Sequence, residues 1–98
     1  MAHKPAWHTK ETDRLFEAVL TLDSLEECYA FFEDLCTMKE LSDMSQRLQA
    51  AEMLLNGDTY EKVVKQVGIS TATISRINRC IQYGSGGYAS VVSKLPPK

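Results

Sequence analysis

The sequence predicts an all-α fold of about six helices, and three observations carry that prediction. Apolar residues recur at three- and four-residue spacing through most of the chain. Ser, Thr or Asp precedes those runs where an N-cap belongs, and the β-branched residues keep helical spacing instead of alternating, so no strand is predicted. At 98 residues the length is that of one domain, read as a flexible N-terminal tail over 1–9 and a single helical domain over 10–95.

The elements follow in order. Thr9 caps a first helix of roughly Lys10 to Leu22, with Leu15, Phe16, Val19, Leu20 and Leu22 on one side. Ser24-Leu25-Glu26-Glu27 has the form of a capping box, in which the hydroxyl and the carboxylate each satisfy an orphan N–H of the first turn. It opens a second helix with the stripe Leu25, Cys28, Tyr29, Phe32, Leu35 and Cys36 and an acidic outer face of Glu26, Glu27, Glu33 and Asp34. Thr37-Met38-Lys39-Glu40 repeats the box before a third helix of about Met38 to Leu55, whose stripe is Leu41, Met44, Leu48, Ala51 and Leu55 and which stops at Asn56-Gly57. Arg47 lies one position off that stripe, where Glu40, Asp43 or a carboxylate of a partner chain is a suitable ion-pair partner. Asp58 or Thr59 caps a fourth helix, Tyr60 to Val67, ended by Gly68; Ser70 or Thr71 caps a fifth carrying Ile74, Ile77 and Ile81. After Gly84-Ser85-Gly86-Gly87, the cluster Tyr88, Val91, Val92 and Leu95 marks a last short helix.

Composition excludes several classes. No run of apolar residues is long enough to span a membrane, and the N-terminal stretch is too polar for a secretory signal, so a cytosolic protein is expected. Cys28, Cys36 and Cys80 form no CxxC pair, and both histidines, His3 and His8, sit in the tail, so neither a metal site nor a disulfide framework is expected. No nucleophile elbow or Gly-rich phosphate loop is present, and no catalytic residue is predicted. The net charge of −2 is unevenly distributed: residues 1–60 carry −7 and residues 61–98 carry +5. A basic C-terminal part points to an acidic partner.

The residues of YEKVVKQVGISTATISRINR, from Tyr60 to Arg79, resemble a helix-turn-helix, within a segment of about 60–82. Gly68 permits the positive φ that ends the first helix of the pair, Ile69 plugs the corner, and Val63, Val67, Ile74 and Ile77 fix the crossing. The opposite face of the second helix carries Ser70, Thr71, Ala72, Thr73, Ser75, Arg76 and Arg79. Small side chains at its start admit a close approach to base edges in the major groove, with Thr73 and Ser75 as readers of sequence. Lys62, Lys65 and Arg79 suit the flanking phosphates. Val64 departs from the small residue common at its position.

The run QRLQAAEMLLNGDTYEKVVKQVGISTATISR is similar to the core of the Trp repressor superfamily, and the chain resembles its YerC/YecD-like branch. The resemblance implies an intertwined all-helical homodimer whose two recognition helices meet successive major grooves of a palindromic operator in double-stranded DNA. It also implies a small-molecule corepressor site, because two arginines that sandwich the indole in the Trp repressor correspond to Arg47 and Arg76, and a further pocket residue to Thr37. Two departures argue against tryptophan as the ligand: Ile77 replaces a glycine and Cys80 a serine. No other cofactor is expected. The expectation is therefore a sequence-specific transcriptional repressor and not an enzyme. Its rival is a protein-interaction module using the helix-turn-helix as a docking surface, which an exposed apolar patch on the fifth helix would mark.

Overall fold

The computed structural model describes residues 4–97, so the first three residues of the predicted tail lie outside the description. Among the described residues there are six helices and no strand: α1 (Lys10–Leu20), α2 (Leu25–Leu35), α3 (Met38–Leu55), α4 (Tyr60–Val67), α5 (Thr71–Tyr83) and α6 (Gly87–Lys94). They fall into two compact units, one ending at Thr37 and the other beginning at Met38.

The N-terminal unit holds α1 and α2. Thr9 and Thr12 form a reciprocal cap: the Thr12 N–H donates to Thr9 Oγ1 at 3.0 Å, and the Thr9 N–H donates to Thr12 Oγ1 at 2.7 Å. Residues before the cap are tied to the helix as well. The His8 ring lies 3.2 Å from the Asp13 carboxylate, and Trp7 meets Phe16 edge to face at 6.5 Å between ring centres. α1 ends at Leu20, two residues before the expected Leu22, because the Thr21 hydroxyl donates to the Ala18 carbonyl at 2.7 Å and tightens the last turn. At α2 the Ser24 hydroxyl accepts from the Glu27 N–H as expected, but the Glu27 carboxylate accepts from Asp23, one residue earlier than the standard box. Neither helix buries a residue.

The C-terminal unit holds the core. Ala50, Ala51, Met53, Val63, Val67, Ile74 and Ile77 are buried, with Leu54, Val64, Ile69, Ile81 and Tyr88 packed around them. α3 is its strut, touching α4, α5 and α6. Its end is a Schellman turn: Gly57 at φ +92° donates to Leu54 and Asp58 donates to Met53, which satisfies carbonyls that the helix leaves open. The predicted stripe is not the face that α3 buries. Ala51 alone of that stripe is buried, while Met44 and Leu55 are exposed and Leu41 and Leu48 half-buried. Ala50, Ala51 and Met53 form the inner face, where the two alanines leave room for α4 and α5 and Met53 fills the core beside them.

Candidate nucleic-acid interface

The helix pair α4–α5 is built on local rules. Thr59 Oγ1 accepts from the Lys62 N–H at 3.2 Å to start α4, and Gly68 ends it at φ +80°, donating to the Val64 carbonyl at 2.9 Å. Two residues later the Ser70 hydroxyl accepts from the Thr73 N–H at 3.2 Å and starts α5. Val63 and Ile74 are fully buried and Val67 and Ile77 nearly so, while Ile69 packs against them at the corner. Val64 is half-buried against the same cluster.

With Ile74 and Ile77 turned inward, Ser70, Thr71, Ala72, Ser75, Arg76 and Arg79 are all exposed. They offer hydroxyls, the methyl groups of Thr71 and Ala72 and two guanidinium groups, with no acidic residue in the first turn of the helix. That first turn also presents unpaired N–H groups and the positive end of the helix dipole, which favour an anion. Lys65 is exposed in the last turn of α4. Lys62 is half-committed, since its Nζ lies 3.3 Å from the Asp58 carboxylate, a pair of the surface type that an incoming phosphate can displace.

Thr73 lies elsewhere. It is half-buried, its Oγ1 is 3.0 Å from Ser70 Oγ, and it lines two cavities between α3 and α5 together with Arg47 and Arg76. The structure thus brings together the two arginines named from the sequence. Arg47 comes three and four residues before Ala50 and Ala51, and this spacing carries it onto the face of α3 that meets α5. Its expected pairing with Asp43 is not formed, because that carboxylate accepts from Lys39 at 3.2 Å. Thr37 is exposed and belongs to the N-terminal unit. Asp43, Gln46 and Tyr88 also line these cavities and were not expected there; the Asp43–Arg47 spacing of four residues was the available signal.

A Gly-cornered helix pair, locked by branched apolar residues and presenting a small, basic outer face, defines a helix-turn-helix protein. The chain belongs to the Trp repressor family, whose model, described as Trp repressor protein, matches residues 10–96. It is 49% identical over 86 residues to the uncharacterized protein YerC of Bacillus subtilis (strain 168), covering 88% of this chain and 83% of that one. Two solved structures are similar. A Staphylococcus aureus protein described as a candidate Trp repressor superposes with a TM-score of 0.84 at 46% identity, covering 89% of this chain and 87% of that one. A TrpR-like protein from Eubacterium eligens ATCC 27750 gives 0.83 at 43% identity, covering 91% and 95%. Members of the family are regulators and not enzymes, and among the described residues no helix is long and apolar enough to cross a membrane.

Proposed function

We propose that this protein is a cytosolic, sequence-specific transcriptional repressor that acts as a homodimer, reading the major groove of a palindromic operator with α5 and performing no catalysis. The observation that carries the reading is the exposed α5 face of Ser70, Thr71, Ala72, Ser75, Arg76 and Arg79 above a fully buried Ile74. Short side chains at the first turn let the helix enter a groove ~12 Å wide, and Lys62, Lys65 and Arg79 meet the phosphates beside it. Among the large apolar residues that are exposed, α5 contributes Tyr83, at the far end from this face, so the docking-module reading lacks the patch it needs.

Support for the homodimer comes from the N-terminal unit. It is shorter than the ~40 residues below which a core usually needs a metal, disulfides or a partner, and its two helices bury nothing. Phe16, Leu20, Leu25, Tyr29 and Leu35 are exposed along them. Five large apolar side chains exposed on two short helices are what an interface between chains would cover.

Selection of bound fragments from genomic DNA at near-physiological salt tests the reading. Enrichment of a palindrome with half-sites about one helical turn apart is expected for a dimer. Recovery of fragments without a common sequence is the contrary result.

A further inference from the structure

We propose that Asp58 is a positioning residue that ties Lys62 down in the free protein and thereby lowers the affinity of the helix-turn-helix for every duplex. The inference rests on the DNA-binding reading, in which Lys62 is one of the cations that meet phosphates. Asp58 sits where the end of α3 joins the start of α4. Its N–H donates to the Met53 carbonyl at 3.0 Å, which fixes its backbone in the Schellman turn, and its side chain is only 18% exposed. Thr59, the next residue, caps α4, so Lys62 lies one helical turn past the carboxylate and its Nζ donates to Asp58 Oδ1 at 3.3 Å. The pair is therefore anchored at its acidic end, where a carboxylate with little freedom meets a lysine that is 53% exposed on a flexible stem.

The contrast with Lys65 is informative. Glu61 stands four residues before Lys65, the same spacing and order as Asp58 before Lys62, yet among the described residues no ion pair joins them. Glu61 is exposed and longer, and fixing it costs more side-chain entropy than fixing the partly buried Asp58. Spacing alone does not make the pair; the turn that seats Asp58 does. The consequence for binding follows from charge. A phosphate that takes Lys62 must break the pair and leave a carboxylate facing a polyanion, and a phosphate that does not take it meets a neutral pair instead of a cation. Either way Asp58 subtracts from the electrostatic part of binding, which is independent of sequence. Matched and unmatched duplexes lose alike, so Asp58 sets strength and not preference.

A double-mutant cycle tests the proposal: Asp58→Asn, Lys62→Gln and their combination in the full chain, titrated across a salt series with a selected operator and with an unrelated duplex. Asp58→Asn keeps the size of the side chain and the backbone N–H of the turn. It is expected to tighten binding about threefold or more on both duplexes and to steepen the salt slope by up to about 0.9. In the Lys62→Gln background most of that gain is expected to vanish, because only the repulsion of the carboxylate itself is left to remove. Glu61→Gln removes the same charge from an unpaired residue and is expected to give about half the gain or less. Equal gains with and without Lys62, a gain from Glu61→Gln as large as that from Asp58→Asn, or a gain confined to the operator would overturn the proposal. Where Asp58→Asn loses its helical circular dichroism, Asp58→Ser takes its place in the cycle. The unmodified protein separates the two readings. If it binds neither duplex, the DNA-binding reading fails and this one with it, whereas binding with equal gains contradicts the role of Asp58 alone.

Discussion

Gly68 turns the chain between α4 and α5 at φ +80°, and a Cβ added there meets no atom within 4 Å. The requirement for glycine is therefore conformational and not steric. Gly68→Ala is expected to cost about 1–2 kcal/mol, read as a lower urea midpoint with an unchanged m-value. At the proposed reading face the roles divide by chemistry. Ser75→Ala removes a hydroxyl from the exposed face of α5 and is expected to relax sequence preference with little change in salt dependence. Lys65→Ala is expected to weaken binding to all sequences and to reduce the salt slope by about one. Competition binding on matched and mismatched duplexes separates the two, and equal effects from both would contradict the division. Thr73 shows a limit of the sequence. Its place in the row of small polar residues suits it to base contact, but its half-burial and its place beside Arg47 and Arg76 in the cavities between α3 and α5 depend on how those helices cross, which no local pattern records.

At the scale of elements, boundaries were legible wherever the chain carries explicit punctuation. α3 and α4 begin and end where the sequence predicts because Gly57, Thr59 and Gly68 mark their ends, and Ser70 fixes the start of α5 in the same way. The end of α1 was not legible, since a threonine that tightens a turn looks like one more helical residue. The inner face of α3 was misread for a different reason. Leu41, Met44, Leu48 and Leu55 are the conspicuous members of the predicted stripe, whereas the core takes only its Ala51, together with Ala50 and Met53, and the alanines serve by their small size and not their hydrophobicity. Ala51 has no exposed surface, so Ala51→Leu is expected to overpack the contact of α3 with α4 and α5 and to cost about 1–3 kcal/mol in a denaturation series. Leu55→Ala, on the open face, is expected to be nearly neutral within a single chain.

Across the whole molecule, charge and apolar surface are both divided by sequence position. Residues 1–60 carry −7 and residues 61–98 carry +5, a division that suits the proposed reading face, since phosphate would be repelled by the acidic part and attracted to the basic one. The exposed apolar residues are concentrated in the acidic part, with Leu20 84%, Leu25 67% and Tyr29 66% exposed. If they are the dimer interface, sedimentation equilibrium at micromolar concentration gives twice the 11.0 kDa chain mass, and Leu25→Glu with Tyr29→Glu reduces it to a single chain or abolishes folding. A single-chain mass for the unmodified protein would refute the dimer. The central claim is that α5 lies in the major groove, and dimethyl sulfate footprinting on a selected operator tests it most directly, because the reagent attacks guanine N7 in that groove. The account predicts two protected patches with centres about 10 base pairs apart, both weakened by Ser75→Ala. Guanine N7 left unprotected on DNA that the protein saturates would contradict it.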